Sequence, residues 1–314
     1  MIPHIPVLLE TVLALFREEF AARADLLFVD ATLGAAGHTV ALLEAFPGSR
    51  VVAFDQDAQA RRIAEERAGD YATRLRVVPE NFRSLGGLCD EAGWPGADGV
   101  LFDLGVSNMQ LTTPERGFSY QEDGPLDMRM DNERGATTAY DLLRDADLRE
   151  LARIFREYGE ERHAYAIAKA IVRSRERGEL PDSTEGLTAL IRRTLPAPVQ
   201  RKMGTHPARR VFQALRIAVN AEIDVLAEGI EGALRIVAPG GLIAVISYHS
   251  LEDRLIKRRF LKWAEEGGGK IVTRKPMVPD AEEIERNRSA RSAKLRVFRR
   301  QGEEKEFFRG VCQG

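Results

Sequence analysis

The sequence predicts an α/β protein in which a doubly wound, mostly parallel sheet is interrupted by a long helical insertion. Short, continuous apolar runs alternate with helical patterns in the first third of the chain, as in parallel sheets that are buried on both faces. More than a hundred residues then separate the fourth apolar run from the fifth, far more than one crossover helix needs. A chain of 314 residues also exceeds one simple core, which favours two domains or one domain with a large insert.

The parallel strands are expected at five apolar runs. These are Leu26–Asp30, Arg50–Asp55, Arg76–Val78, Gly99–Gly105 and Leu242–Ser247. Helical patterns such as HTVALLEAF and AQARRIAEERAG separate the first four, and LEDRLIKRRFLKWAEE follows the fifth. The β-like stretches KIVTR and AKLRVFRR come last, and their lengths predict a hairpin that closes the edge of the sheet.

The long connection after the fourth strand holds more than a crossover. The stretch from His206 to Gly241 predicts one long helix that begins near Pro207 and ends at Pro239-Gly240-Gly241. Residues 109–205 are then surplus to the sheet and contain several helical patterns. We therefore expect a mostly helical inserted domain at 109–205, between sheet-domain segments 1–108 and 206–314.

The charge distribution is more informative than the net charge of −2, which does not indicate a nucleic-acid binder. Two segments, Gly186–Ala221 and Arg286–Arg300, each contain seven basic residues and no acid. They predict a local anionic partner, although two solvated faces would give the same pattern.

The remaining composition bears on compartment and cofactors. Cys89 and Cys312 form neither a disulfide nor a metal-ligand pattern, so we expect a reducing, cytoplasmic location and no metal. The N-terminus lacks the basic region of a signal peptide, and the longest apolar runs are too short to span a bilayer, so no membrane partner is expected. The sequence does not set the oligomeric state, and a homodimer is compatible with it.

A cofactor site is expected where the carboxyl ends of the parallel strands meet. Three features gather there: the turn Asp30–His38 after the first strand, Asp55 after the second and Asp103 at the end of the fourth. The turn contains Gly34 and Gly37 but lacks the glycine density of a pyrophosphate cradle. Together with an acid that can accept hydrogen bonds from ribose hydroxyls, it favours S-adenosylmethionine; an ordinary turn without a ligand is the alternative.

Ten motifs, in chain order, connect the sequence to a known family. They are DATLGAAGHT, FDQD, ENFRSL, LFDLGVSNMQL, RGFSY, GPLDMRMD, YGEER, HPARRVFQALRIAVN, APGGLIAVISYHSLEDRLIKRRF and RSARSAKLR. Through them nearly the whole chain resembles the bacterial 16S (small-subunit) ribosomal RNA (cytosine-N4)-methyltransferase family. The resemblance implies a class I (Rossmann-like) methyltransferase sheet with a mostly helical inserted domain after strand four. It also implies methyl transfer from S-adenosylmethionine to the N4 of a cytosine in ribosomal RNA.

The resemblance further implies which residues contact the cofactor: Ala36, Gly37, His38, Asp55, Phe82, Asp103 and Gln110. Asp55 is expected to bind the ribose, and Phe82 is as consistent with packing on the adenine as with a place in the core. The sequence departs from the family at Ala36, which precedes Gly37 where relatives often carry glycine. Its methyl group is expected to be tolerated only at negative φ. Tyr248 stands where phenylalanine is usual.

The chemistry implied by the family needs a group that orients the amine. The lone pair of a cytosine N4 is delocalised, so the enzyme must align the amine and accept a hydrogen bond or a proton from it. Asp103 is the first catalytic candidate, but Leu104-Gly105-Val106 replaces the Pro-Pro-aromatic sequence that often follows such an acid, which leaves the acceptor open. Carbon-5 methylation would need a nucleophilic cysteine, and Cys89 has no such setting.

His249 is the second catalytic candidate. It could contact the base, or the stretch Ser250–Asp253 could be a capping box that begins the next helix, and the two roles are compatible. A metal pair of His249 with Asp253 would lack further ligands.

The basic segments supply the candidate RNA contacts, which are Arg201, Lys202, Arg209, Arg288 and Arg291. Naked RNA and an assembled small subunit are both open as substrates. Two other functions remain: a nicotinamide-dependent oxidoreductase, opposed by the missing third glycine, and a non-enzymatic RNA-binding assembly factor with a vestigial pocket.

Overall fold

A computed structural model describes residues 5–87, 96–132 and 137–302. The chain forms two compact units: the first comprises Met1–Gly105 and Asp224–Gly314, and the second comprises Val106–Ile223. Cys89 and Cys312, and the expectations placed on them, lie outside the described residues. Within those residues no helix is both long and apolar enough to cross a membrane.

The first unit is built on a seven-stranded sheet. Its strands are β1 (Leu27–Asp30), β2 (Arg50–Phe54), β3 (Leu75–Val78), β4 (Ala97–Asp103), β5 (Val237–Ser247), β6 (Gly269–Ile271) and β7 (Lys294–Arg300). Their order is β3-β2-β1-β4-β5-β7-β6; β1 to β5 are parallel, and β7 lies antiparallel between β5 and β6. The predicted class I methyltransferase sheet and its closing hairpin are therefore confirmed. The strand order reverses between β1 and β4, where ligands bind in such sheets.

The helices follow the apolar periodicity of the sequence. They are α1 (Leu9–Phe20), α2 (Gly37–Ala45), α3 (Ala58–Arg67), α4 (Asn108–Thr112), α5 (Ala139–Asp145), α6 (Leu148–Glu157), α7 (Ala164–Glu176), α8 (Thr184–Thr194), α9 (Ala197–Lys202), α10 (Arg209–Val219), α11 (Glu222–Ile236), α12 (Ser250–Glu265) and α13 (Ala281–Arg286). Several begin at residues that cap backbone N–H groups, as Asp57, Asp147 and Ser183 do for α3, α6 and α8.

Two apolar layers cover the sheet of the first unit. On one face, α1 and α2 contribute to a cluster in which the rings of Phe16 and Phe28 stack with centroids 5.5 Å apart. On the other face, α11 and α12 pack on β4 and β5 through residues that include Ile230, Phe260 and Phe102. Strands covered on both faces must be apolar throughout, which is why they read as continuous runs in the sequence.

The second unit has a helical core of its own, formed by residues that include Leu143, Phe155, Ile171 and Leu215. It ends at Ile223, whereas the sequence suggested that the insertion ends at residue 205. The difference arises because the buried face of α10 belongs to the core of this unit.

The long crossover helix expected from His206 to Gly241 is wrong. The chain breaks between α10 and α11, where Ala221 has a positive φ of 47°. The side chain of Asn220 holds the break: its Oδ1 accepts from the Met130 N–H at 2.8 Å, and its Nδ2 donates to the Met128 carbonyl at 2.8 Å. The Pro239-Gly240-Gly241 stop belongs to β5, since the helix already ends at Ile236.

Gly99 of β4 lies under the aromatic cluster, and we predict that Gly99→Ala destabilises the protein. An added Cβ would lie 2.8 Å from Phe16 Cε2 and 3.0 Å from Phe28 Cδ1, and both rings are fully buried. We expect the free energy of unfolding to fall by about 1–3 kcal/mol, as in other overpacked cores. Urea denaturation should show this loss, whereas Gly69→Ala, whose Cβ would meet nothing within 4 Å, should leave the midpoint nearly unchanged. Equal midpoints for both variants would contradict the packing argument.

Candidate active site

The turn after β1 is organised by the buried carboxylate of Asp30. Its Oδ1 accepts a hydrogen bond from the Thr32 N–H at 3.1 Å, and its Oδ2 accepts one from the Thr39 hydroxyl at 2.7 Å. Burial raises the pKa of Asp30, and the Thr39 hydroxyl opposes that rise. The Thr32 hydroxyl in turn accepts from the backbone N–H of Asp103 at 2.7 Å. One acid therefore connects the end of β1, the start of α2 and the end of β4.

The backbone of the turn departs from the expectation at Ala36. Gly34 and Ala36 both have left-handed conformations, with φ of 50° and 58°, so the negative φ expected at Ala36 is wrong. Such a conformation costs an alanine about 1–2 kcal/mol. Two hydrogen bonds impose it: the Ala36 N–H donates to the Leu33 carbonyl at 2.8 Å, and the Val40 N–H donates to the Ala36 carbonyl at 2.9 Å.

Gly37, the first residue of α2, is approached closely by the N-terminal segment. A Cβ at this position would overlap the ring of Pro6. The next residue, His38, is buried, and its Nε2 lies 3.1 Å from the Val7 carbonyl. Since a carbonyl can only accept, Nε2 carries the proton and Nδ1 has a lone pair in the neutral ring. Burial lowers the pKa of His38, which keeps the ring neutral at pH 7.

Asp55 closes the turn from the side of β2. Its Oδ2 accepts from the Gly34 N–H and its Oδ1 from the Asp57 N–H, both at 2.8 Å. Burial raises the pKa of Asp55 to about 6, and these two hydrogen bonds limit the rise. A carboxylate oxygen has two lone-pair positions, so each oxygen keeps one for a ligand hydroxyl. Asp55 is therefore suited to hold a ribose beside the turn.

The segment that carries Phe82 is tied to the segment that carries Asp55 by a hydrogen bond between residues adjacent to them in sequence. The Asn81 side chain donates to the Gln56 side chain at 2.9 Å. The Phe82 ring is partly buried and meets Phe102 edge to face, with ring centroids 5.5 Å apart. Gly229 lets the ring approach α11, since a Cβ there would lie 2.5 Å from the ring. Phe82 is thus anchored against the core, and being partly buried it also keeps some exposed ring surface.

Asp103 ends β4 and has two different neighbours. Its Oδ1 accepts from the Tyr248 hydroxyl at 2.6 Å, and its Oδ2 lies 3.7 Å from His38 Nδ1. Burial raises the pKa of Asp103 to about 7; the hydrogen bond from Tyr248 lowers it and the charge of Glu252 raises it. A carboxyl group with this pKa can both accept and release a proton near neutral pH.

His249 begins α12, but the capping box differs from the expected one. His249 itself is the N-cap, and its side chain accepts from the Glu252 N–H, while Glu252 Oε2 accepts from the His249 N–H at 3.2 Å. The box expected at Ser250–Asp253 is therefore wrong by one residue. Asp253 is engaged elsewhere, by Lys294 at 3.1 Å and Arg296 at 2.6 Å, which leaves it unsuited to a metal pair with His249.

Gln110, the remaining residue implied as a cofactor contact, lies in the second unit. It is buried, its N–H donates to the Ser107 hydroxyl, and its side chain accepts from the Ser107 N–H at 3.1 Å. Its side chain closes a capping box at the start of α4.

Several cations of the two acid-free segments form ion pairs with acids that lie outside these segments. In Arg286–Arg300, several cations pair with acids from other parts of the sequence. These pairs are Lys294 and Arg296 with Asp253, Arg299 with Glu19, and Arg286 with Glu282. In Gly186–Ala221, Arg216 pairs with Glu222 at 2.7 Å. The five candidate RNA contacts are exposed: Arg288 and Arg291 in the first unit, and Arg201, Lys202 and Arg209 in the second.

Four polar residues of the site were not named as site residues from the sequence: Asp30, Thr32, Thr39 and Tyr248. Thr32 and Thr39 lie within the turn motif, and their spacing around Asp30 is a usable signal, because short-range donors commonly satisfy a buried acid. Tyr248 directly follows β5, and the observed strand order places β5 beside β4, which brings the tyrosine within reach of an acid that ends β4. The sequence showed that tyrosine replaces the usual phenylalanine at position 248, but it did not show that the hydroxyl binds Asp103.

The chain matches one family model and is similar to several ribosomal RNA methyltransferases. A family model described as the MraW methylase family matches residues 1–301. A ribosomal RNA small subunit methyltransferase H from Symbiobacterium thermophilum is 43% identical over 310 residues, covering 94% of this chain and 95% of that protein. Proteins of the same name are 44% identical, from a Paenibacillus species (95% of this chain, 99% of that protein) and from Carboxydothermus hydrogenoformans (94% and 96%).

Proposed function

The chain belongs to the MraW methylase family, and on that premise we propose that it transfers a methyl group from S-adenosylmethionine to the N4 of a cytosine in small-subunit ribosomal RNA. The names of its relatives support small-subunit ribosomal RNA as the substrate, and the sequence motifs support the N4 of cytosine as the methylated atom. The observation in the structure that carries the proposal is the set of strand-end acids, Asp55 and Asp103, hydrogen bonded around one turn. A methylase family favours this reading over a nicotinamide-dependent oxidoreductase.

The residues of the turn fit a nucleoside cofactor. In the proposal, the Asp55 carboxylate binds the ribose hydroxyls, the backbone from Gly34 to His38 lies along the cofactor, and the Phe82 ring contacts the adenine. The Asp55 oxygens are already oriented by the Gly34 and Asp57 N–H groups, so little side-chain freedom is lost on binding. Gln110 closes the capping box of α4, and the proposal gives it no cofactor contact.

The chemical step requires an electrophilic methyl group and an oriented amine. The cofactor supplies the methyl group on a sulfonium centre. The Asp103 carboxylate would accept a hydrogen bond from the cytosine amine and direct its lone pair. It would take the proton that the nitrogen loses as the N–CH₃ bond forms and the S–CH₃ bond breaks, with the cofactor leaving as a neutral thioether. The pKa of about 7 suits this transfer near neutral pH. The ring of His249 caps α12, and the proposal assigns it no chemical step.

We predict that cofactor binding depends on pH through Asp55. Because the pKa of Asp55 is about 6 in the cofactor-free protein, the carboxyl is protonated below pH 6 and must ionise to bind both hydroxyls. Affinity should therefore fall as the pH drops from 7 to 5, by up to about tenfold per pH unit. Asp55→Asn should weaken binding by about 1–3 kcal/mol and remove most of this pH dependence. Isothermal calorimetry measures both effects, with the exposed Asp70→Asn as the matched control. A wild-type profile in Asp55→Asn would remove Asp55 from the site.

We also predict that Arg201 and Lys202 contact RNA phosphates. Replacing both with alanine should weaken RNA binding and lower the slope of log affinity against log salt by about 1–2, while cofactor affinity stays unchanged. The control is the double variant Lys169→Ala and Arg173→Ala, which removes two exposed cations of α7 in the same unit. Filter binding across a salt series distinguishes the two, and identical slopes would exclude these phosphate contacts.

The proposed function is tested by nucleoside mass spectrometry of small-subunit ribosomal RNA. Deleting the gene should abolish the N4-methylated cytidine signal, and the wild-type gene should restore it. Asp103→Ala should fail to restore it although the variant remains folded, as judged by its thermal unfolding. An undiminished signal in the deletion strain would overturn the assignment. If Asp103→Ala restores the signal, another group accepts the amine proton.

A further inference from the structure

We infer that Tyr248 is a positioning residue for the methyl transfer, because its hydroxyl holds Oδ1 of Asp103 and thereby leaves Oδ2 as the oxygen that meets the substrate. This inference rests on the proposed function for the identity of the substrate. The hydrogen bond itself is a feature of the first unit alone.

The backbone and ring of Tyr248 are fixed before the hydroxyl is considered. The Tyr248 N–H donates to Glu252 Oε2 at 2.8 Å, which ties the residue to the first turn of α12. The ring packs against the apolar cluster under α1 and α2. On another side it faces Gly105, where a Cβ would lie 3.5 Å from Tyr248 Cδ2. A ring held in this way delivers its hydroxyl to one place with little loss of side-chain entropy.

The hydroxyl can act only as a donor towards the ionised form of Asp103. Burial raises the pKa of Tyr248 well above its usual value, and the neighbouring Asp103 carboxylate raises it further. The phenol therefore keeps its proton, and the 2.6 Å contact is a hydrogen bond to an acid, the stronger kind when that acid is ionised.

The two oxygens of Asp103 are consequently different. Oδ2 faces Nδ1 of His38, which carries a lone pair because the His38 proton is on Nε2 beside the Val7 carbonyl. Two acceptors do not attract each other, so His38 does not hold Oδ2 while Asp103 is ionised. At 3.7 Å the two atoms are also too far apart for a hydrogen bond. Tyr248, by contrast, holds Oδ1 and favours the ionised form of Asp103.

The charged and titratable groups around the Asp103–Tyr248 pair come from several elements. Glu252 of α12 raises the pKa of Asp103, His38 of α2 faces Oδ2, and Asp30 of β1 has its own pKa raised by Asp103. Glu283 of α13 acts on Tyr248 and His38. Because burial and the charge of Glu252 both raise the pKa of Asp103, the Tyr248 hydroxyl is the contact that offsets them.

The test is Tyr248→Phe, which keeps the ring and removes the donor. Losing a hydrogen bond to the ionised form raises the pKa of Asp103, so the acidic limb of the pH–rate profile should move up by about one to two pH units. Single-turnover methyl transfer to small subunits from the deletion strain should fall roughly tenfold at pH 7 and recover towards pH 9. Cofactor affinity should change less than about twofold.

Two further forms of the protein serve as a control and as a test in the opposite direction. Tyr71→Phe is the matched control, since its hydroxyl also donates to a carboxylate, Glu44, at 3.2 Å on the surface. Its profile should superimpose on that of the wild type. Incorporating 3-fluorotyrosine at position 248 gives a more acidic, stronger donor in the same ring, and the acidic limb should then move to lower pH.

Carbon-13 NMR titration of labelled aspartate gives a readout that needs no RNA. The pKa of Asp103 should rise in Tyr248→Phe relative to the wild type. An unchanged pKa, or a rate that drops equally at every pH, would overturn the positioning role. If the wild type fails to methylate ribosomal RNA, the proposed function fails, while the titration still decides whether Tyr248 controls Asp103.

Discussion

The hydrogen bonds around Asp30 are the constraint on which the rest of the site depends. A carboxylate that is almost fully buried is costly unless donors satisfy it, and the Thr39 hydroxyl and the Thr32 N–H do so. Because these donors lie in the turn and in α2, satisfying the acid also fixes the path of the chain between them. The Thr32 hydroxyl extends the arrangement to the Asp103 backbone, which links the turn to the end of β4.

The same arrangement concentrates acids that oppose one another. Burial raises the pKa of Asp30, Asp55 and Asp103, and the charge of Asp103 raises the pKa of Asp30 further. Such clustering disfavours the ionised forms of the three acids, which is a cost to folding. In the proposed function, the sulfonium group of the cofactor is the cationic partner that these acids would favour. Raised pKa values of this kind are common at functional sites.

The sequence predicted the features that depend on local pattern. Strand positions and the strand-end acids Asp55 and Asp103 followed from apolar runs, and parallel strands bring such ends together by topology alone. Features that depend on distant partners did not follow. The acid-free run Arg286–Arg300 suggested a basic patch, but Lys294 and Arg296 pair with Asp253, which lies 41 and 43 residues away. No window of sequence shows that pairing.

Backbone conformation was the other kind of information that the pattern did not carry. Helical periodicity continues through Asn220 and Ala221, yet Asn220 uses its side chain to bind the Met128 and Met130 backbone groups and the helix breaks. At Ala36 a general preference against positive φ was overridden by two backbone hydrogen bonds. In both places a specific contact outweighs a propensity worth only about 1–2 kcal/mol.

Three aspartates lie at the carboxyl ends of strands. Their hydrogen-bond partners differ, and so do the roles that these partners allow. Asp30 has a donor from within the protein on each oxygen and is structural. Asp55 accepts from two backbone N–H groups and keeps acceptor positions for a ligand. Asp103 is held by one phenol on one oxygen and faces a neutral imidazole with the other. Residue type and strand position bring the three acids together, and in the proposed function their hydrogen-bond partners distinguish the acid that performs the chemistry.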